Sequence, residues 1–298
     1  MKPHPRTART TEIPPVWAPS TLAEARRTLA EAAARFSDTP RMDAERLLAA
    51  WLQRPRAWVL AHPEAPFPPR LVPRWRAARA RLRLGEPLAY LLREWPCYDR
   101  TFTLSPAVLI PRPETEALIV RALELLRYRP QPRVVDVGTG SGCIAVVLAA
   151  HYPEARVTGV DRSRAALTIA RANAQRHRTR VQWVQTDLLA GVPGPWDLIV
   201  ANLPYIPTAE LAELRVARQE PWLALDGGVD GLIPLRRLLA QARRALAPGG
   251  HLLAEVGAAQ AQQARSLAKA FFPQATISLH PDGAGRPRVL EIALPSDV

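Results

Sequence analysis

Lysine is almost missing from this chain: Lys2 and Lys269 are its only copies, and arginine supplies the rest of the 40 basic residues. Set against 27 acidic residues, these leave a formal charge of +13, which favours an acidic or RNA-associated partner through long-range steering. A genome-wide preference for arginine gives the same numbers, so charge alone does not identify a nucleic acid. Cysteine is equally scarce. Cys97 and Cys143 are too few for a disulfide framework and lack metal-ligand spacing, so they read as ordinary thiols, and no zinc or iron site is implied. Long apolar runs are missing too. The longest, Cys143 to Ala150, falls far short of the ~20 residues that cross a bilayer. The first twenty residues carry Arg and Pro without the apolar core of a secretory signal. The expectation is a soluble cytoplasmic protein with no membrane partner.

The 298 residues suffice for one large domain and a small one, each with its own core. Residues 1–19, rich in Pro, Arg and Thr, read as a poorly ordered arm. From Thr21 the pattern changes: Thr21 with Glu24 forms a capping box, and Leu22, Ala25, Leu29, Ala33 and Phe36 recur at helical spacing. Further helices are expected over Arg41–Leu52, around Trp58 and over Arg70–Leu84, the last ended by Gly85. These make a small helical domain over 20–85. Arg70, Arg74, Arg76, Arg79, Arg81 and Arg83 lie all around that last helix, which favours a solvated face over a dedicated binding stripe. Pro87 to Leu104 reads as a hairpin or extended segment, giving a linker over 86–106.

From 107 onward the chain alternates. A helix opening after Pro111 and Pro113 is expected through Leu126. Strands follow near 133–137, 156–160, 181–185, 196–201 and 250–256, with helices near 142–151, 163–176, 231–247 and 259–272. Such alternation specifies an α/β domain, a parallel sheet covered on both faces. The turn-rich Pro281-Asp282-Gly283-Ala284-Gly285 makes the last two strands, 275–280 and 288–294, an antiparallel hairpin.

Chemistry collects at the strand ends. The fourth strand runs into Asn202-Leu203-Pro204-Tyr205, where Pro204 cannot donate to a ladder. Asn202 offers an amide oxygen, Leu203 a main-chain carbonyl and Tyr205 a flat ring. Two acceptors beside an aromatic plate suit a planar amino group, either a carboxamide or an exocyclic base amine. A plain strand-ending turn is the competing structural account. After the first strand, Gly138-Thr139-Gly140-Ser141-Gly142 forms a glycine turn before a helix, where the backbone approaches a ligand closely and unpaired N–H groups face it. Its G-x-G-x-G spacing departs from the dinucleotide G-x-G-x-x-G pattern. Asp161, after the second strand, is placed to accept ribose hydroxyls. Asp187, after the third, is placed to accept from an adenine amine, with Leu188 packing or offering its N–H nearby. Either acid can also begin a turn. Taken together with the tetrapeptide, they make S-adenosyl-L-methionine the best candidate cofactor.

Leu109 to Glu116 (LIPRPETE), Asp136 to Gly142 (DVGTGSG), Asn202 to Pro207 (NLPYIP), Glu220 to Leu232 (EPWLALDGGVDGL) and Glu255 to Gln260 (EVGAAQ) resemble, in order, the release-factor glutamine N5-methyltransferases, the HemK/PrmC family. The resemblance covers about Leu47 to Leu294. It implies an N-terminal helical bundle that recognises substrate, a hairpin linker and a Rossmann-like seven-stranded S-adenosylmethionine-dependent methyltransferase domain over 107–298. It implies as substrate the glutamine of the Gly-Gly-Gln loop in peptide-chain release factors. By position, Gly138, Thr139, Gly140, Ser141, Gly142, Asp161, Asp187, Leu188 and Asn202 would hold the cofactor, and Asn202, Leu203, Pro204 and Tyr205 the glutamine. Leu203 stands where the family usually has the first Pro of Asn-Pro-Pro-Tyr. The proposed acceptor there is main-chain, so leucine still provides it.

Other readings stay open at this level. The same tetrapeptide accepts a base amine, so an adenine N6-methyltransferase acting on DNA or RNA competes, although no additional target-recognition domain is evident. A ribosomal-protein glutamine methyltransferase and a non-catalytic RNA- or ribosome-binding module on the same fold complete the set. No Ser/His/Asp or Cys/His arrangement is visible, which disfavours acid/base chemistry by histidine. A monomer without sequence-specific nucleic-acid binding is expected.

Overall fold

The computed structural model describes residues 17–296, and the chain divides into two compact units, 1–91 and 92–298. In the first, α1 (Leu22–Ala33) packs on α2 (Pro40–Leu52) and on α4 (Val72–Arg83), while the short α3 (Arg56–Ala61) packs on α2. Its core is Leu22, Leu29, Leu47, Leu48, Trp51, Val59, Trp75 and Leu82, the positions that helical spacing selects. Thr21 caps α1 by accepting from the Glu24 N–H at 3.2 Å, but Glu24 reaches back to the N–H of Ser20 rather than of Thr21. Gly85, at φ +84°, follows α4 as expected for a left-handed helix stop. Of the expected arm, residues 1–16 lie outside the described residues. Its end is packed rather than loose: Trp17 lies edge-on to Trp75 with ring centroids 5.2 Å apart, and Pro19 is buried. A five-residue helix, α5 (Leu88–Leu92), occupies the start of the segment read as an extended linker. Its residues are apolar and mostly buried, so packing overrides the local reading.

The second unit opens with a hairpin, β1 (Glu94–Cys97) and β2 (Arg100–Thr103), followed by α6 (Thr115–Leu126). Then come β3 (Arg133–Val137), α7 (Cys143–His151), β4 (Arg156–Asp161), α8 (Arg164–Arg176), β5 (Val181–Gln185) and β6 (Trp196–Ala201). The helix α9 (Thr208–Glu213) and two 3-10 turns fill the stretch up to α10 (Ile233–Ala242), an insertion that alternating periodicity does not foretell. The unit ends with β7 (Leu246–Glu255), α11 (Ala261–Phe271), β8 (Thr276–Pro281) and β9 (Pro287–Ala293). The helix α10 stops short of its expected end and β7 starts early, because Leu246 already pairs with Trp196 and draws the chain into the ladder.

The seven strands stand in the order β5-β4-β3-β6-β7-β9-β8. The first five are parallel, and β9 runs antiparallel to both β7 and β8. Successive strand residues point to opposite faces. Val135, Val137, Ile199 and Ala201 therefore join α10 and α11 in one core, while Val134, Leu198 and Val200 join α6 and α7 in the other. From β3 the chain winds outward to β5, then returns to place β6 on the other side of β3. The point where strand order reverses therefore lies between β3 and β6, and open α/β sheets bind ligands there, beyond the carboxyl ends of the strands. Among the described residues no helix is long and apolar enough to cross a membrane.

Candidate active site

A cavity of about 260 Å³ opens at this reversal point. The loops after four adjacent strands build its wall: Gly138, Thr139, Gly140 and Ser141 after β3, Asp161 at the end of β4, Asp187 and Leu188 after β5, and Asn202, Leu203 and Pro204 after β6. These are ten of the twelve residues singled out in the sequence. The other two, Gly142 and Tyr205, are not on the wall.

Gly138 and Gly140 sit at φ +73° and +56°, conformations costly for any side chain with a Cβ. A methyl on Gly140 would meet little but the Gly138 carbonyl, so this turn leaves its backbone open to a ligand. Beneath it lies Asp136, fully buried, whose Oδ2 accepts from Thr139 Oγ1 at 2.6 Å and from the Ala145 N–H at 3.1 Å. Burial pushes its carboxyl up to about 7 despite those hydrogen bonds. Gly142 has another duty. At φ +80° it faces α8 and β5, and a Cβ there would stand 3.0 Å from both Ala170 and Trp183. Its missing side chain serves helix packing.

Asp161 Oδ2 accepts from the Gly140 N–H at 3.0 Å and Oδ1 from the Ser163 N–H at 2.8 Å. It thus braces the glycine turn and starts α8, as the turn-forming account of this residue requires, while each oxygen keeps a lone pair. Asp187 is half exposed and paired with Arg237 of α10, itself on the cavity wall. Leu188 follows at φ +54°.

On the β6 side, the Leu203 side chain turns into the core, where its Cδ2 would be 3.1 Å from a Cβ on Gly138. A leucine is accommodated because its side chain fills the space beneath the glycine turn, and the residue still borders the cavity. Asn202 Nδ2 donates to Thr115 Oγ1 at 3.1 Å, and Thr115 Oγ1 donates to Glu255 Oε2 at 2.7 Å. The Tyr205 hydroxyl donates to Glu255 Oε1 at 3.3 Å. The Tyr205 ring, expected as a plate for the substrate, is partly buried beside Gly257 and is not on the cavity wall, and burial together with the Glu255 carboxylate pushes its hydroxyl up to about 12. Burial likewise raises Glu255, with the Thr115 hydroxyl and the Arg288 guanidinium pulling the other way.

Two loops flank this side. Glu220, buried in the insertion, accepts from the Ile110 N–H at 2.9 Å and pairs with Arg112. It fastens Leu109–Glu116, expected as a stiff cleft wall, to the segment that supplies Pro221, Leu223 and Ala224 to the cavity. Gln260 Nε2 donates to the Tyr205 carbonyl at 3.0 Å, and Gly227 and Gly231 pass so close to the Tyr205 backbone that neither has room for a Cβ. Thr115, Glu220, Glu255 and Gln260 were not singled out as site residues. Glu255 carried the signal that marked Asp161, an acid ending an apolar strand, but it also needed a partner invisible along the chain.

A seven-stranded sheet reversing at β3 and β6, with a glycine turn and strand-end acids around one cavity, defines the class: a Rossmann-like methyltransferase. The Methyltransferase small domain family matches residues 115–219, and the PrmC N-terminal domain matches residues 20–92. The chain is 45% identical over 232 residues to the release factor glutamine methyltransferase of Bordetella pertussis (strain Tohama I), covering 76% of this chain and 86% of that protein. It is 43% identical over 273 residues to the protein of the same name from Moorella thermoacetica, covering 88% and 96%. Among solved structures, the hMettl16 catalytic domain in complex with the MAT2A 3'UTR hairpin 6 superposes with a TM-score of 0.51 at 16% identity, over 66% of this chain and 76% of that one. That likeness concerns the fold alone. The chain belongs to the release factor glutamine methyltransferase family.

Proposed function

We propose that this protein transfers a methyl group from S-adenosyl-L-methionine to the side-chain amide nitrogen, N5, of the glutamine in the Gly-Gly-Gln loop of peptide-chain release factors. The observation that carries the reading is the shared wall: the amide acceptors Asn202 and Leu203 border the same cavity as the glycine turn and Asp161. The relatives' names supply the substrate.

The residues present fit the cofactor. Gly140 leaves the backbone open to it, Gly138 borders the cavity at a φ that favours glycine, Asp161 has lone pairs left for ribose hydroxyls, and Leu188 and Ile144 offer apolar surface to a base. Asp187 keeps acceptor capacity beside Arg237 for an amine. When bound, S-adenosylmethionine supplies a methyl group already activated by its sulfonium. The rest falls to the chain. An amide nitrogen is a poor nucleophile because its lone pair is delocalised into the carbonyl. Accepting its two N–H bonds at Asn202 Oδ1 and the Leu203 carbonyl fixes its plane, and such positioning is worth roughly 7–11 kcal/mol in favourable cases. The same oxygens stabilise positive charge as it grows on nitrogen. An N-alkylated amide cation is a strong acid, so its surplus proton leaves without a strong base.

Leu223, half exposed on the cavity rim, offers apolar surface to a peptide loop. The helical unit is assigned the remainder of the release factor, on the strength of its match to the PrmC N-terminal domain. The test offers a release factor, ribosomal protein and an adenine-containing oligonucleotide separately with labelled cofactor. Label on the release factor alone is expected. Label on the ribosomal protein or the oligonucleotide instead overturns the reading.

A further inference from the structure

The segments Leu109–Glu116 and Glu255–Gln260 take no direct part in the proposed transfer, yet each sends a buried side chain into one chain of hydrogen bonds that ends on Asn202. We propose that Thr115 and Glu255 are positioning residues that fix which end of the Asn202 carboxamide faces the substrate. This rests on Asn202 being the acceptor for a planar amide.

Glu255 is 4% exposed and receives the hydroxyls of Thr115 on Oε2 and Tyr205 on Oε1. A carboxylate accepts and does not donate, so both hydroxyl protons are committed to it. Thr115, 2% exposed, has a single proton. Having given it to Glu255, its oxygen presents only a lone pair to Asn202. The NH2 end of Asn202 alone can meet that lone pair, and it does so at 3.1 Å. Oδ1, at the other end of the same planar group, is left for the cavity that Asn202 lines. An unrestrained asparagine has no reason to prefer this orientation. Reversed, it would set N–H against the N–H of a substrate amide and repel what it must hold. Burial raises the Glu255 carboxyl, and the hydroxyls it receives from Thr115 and Tyr205 together with the buried Arg288 guanidinium of β9 act the other way, toward the ionised form that accepts both hydroxyl protons. Thr115 and Glu255 lie 140 residues apart in the chain, and their pairing accounts for the otherwise unused acid ending β7 and for the threonine opening α6.

The test compares Thr115→Val, which keeps the shape and removes the hydroxyl, with Thr115→Ser, which keeps the hydroxyl. Steady-state methylation of a release factor is measured for each, and S-adenosylmethionine binding by calorimetry. Thr115→Val is expected to lower kcat on the order of 10²-fold, as loss of a preorganised polar contact does, with KM and cofactor affinity each within about threefold of wild type. Thr115→Ser should recover kcat to within about threefold. A second readout needs no turnover. The chain holds just two asparagines, Asn173 and Asn202, so ¹⁵N-asparagine labelling gives two side-chain NH2 pairs. Those of Asn202 should exchange much faster in Thr115→Val, while those of Asn173, held by the Thr103 and Ser141 carbonyls, stay protected as an internal control. Wild-type kcat in the valine variant, or equal losses in both variants, overturns the proposal. If the wild-type protein methylates no release factor, the functional reading fails by itself. The relay is then decided by exchange: unchanged Asn202 protection in Thr115→Val overturns it.

Discussion

On the glycine-turn side of the cavity, Asp136 reaches Thr139 and Ala145, and Asp161 reaches Gly140 and Ser163, across separations of 3, 9, 21 and 2 residues. On the Asn202 side the bonds span far more chain: 87 residues from Asn202 to Thr115, 140 from Thr115 to Glu255, 110 from Ile110 to Glu220 and 55 from Tyr205 to Gln260. One half of the site is a strand, a turn and a helix closing on themselves. The other exists only once distant segments have folded together. The cofactor half should therefore fail one residue at a time, whereas the amide half should fail from several places in the chain with a common effect on the acceptor.

The largest effect that sharpens this contrast is expected from Asn202→Ala. It should lower methylation by about 10²–10³-fold, the cost of losing one preorganised polar group at the reacting atom, with cofactor affinity within a few-fold by calorimetry. A variant that turned over near the wild-type rate would remove Asn202 from the mechanism. Gly142→Val comes next. A β-branched side chain at φ +80°, pressed 3.0 Å from Ala170 and Trp183, should destabilise the protein by about 3 kcal/mol. Denaturant titration reads that loss, and an unchanged midpoint would return Gly142 to the role of an open ligand cradle.

Asp161→Asn should weaken S-adenosylmethionine binding about tenfold by losing one acceptor, with kcat nearly unchanged at saturating cofactor. If kcat fell and affinity held, the two halves would not be separable. Glu220→Gln removes the charge that holds Arg112. It should raise KM for the release factor about threefold, the worth of one weakened hydrogen bond, and spare cofactor binding, because a buried glutamine can still accept from the Ile110 N–H and only the Arg112 end is part-exposed.

The smallest effect lies away from both halves. Burial raises the Glu291 carboxyl, but hydrogen bonds from His251 and Arg121, the Arg121 charge and a hydrogen bond from His280 outweigh it and hold it down to about 2. A depressed carboxyl stabilises the fold above its ordinary value of 4.5, and that stability is lost as pH falls toward 2. Thermal melting between pH 5 and 2 should therefore steepen in the wild type relative to Glu291→Gln. Parallel curves would show that Glu291 does not carry the acid sensitivity.

The same contrast explains what could be read along the chain. The five parallel strands, the closing hairpin and the glycine turn are local patterns, and they fall where alternation and turn chemistry put them. α5 and the insertion around α9 were missed because they are short and rich in proline or in residues that packing, not periodicity, arranges. Gly142 was grouped with its neighbours because a glycine needed for close helix packing looks, in sequence, like one needed for a ligand. Tyr205 offered a ring and a hydroxyl, and nothing nearby in sequence said that Glu255 would claim the hydroxyl. Thr115 and Glu255 stood inside recognisable motifs, yet their purpose depends on the direction of hydrogen bonds between segments that meet only in the folded protein.

The most direct test of the whole account is mass spectrometry of a release factor after incubation with this protein and S-adenosylmethionine. The account requires one added CH2, located by fragmentation on the side-chain nitrogen of the glutamine in the Gly-Gly-Gln loop, and its absence when Asn202→Ala replaces the wild type. An unmodified loop, or a methyl group carried on any other residue, would contradict it.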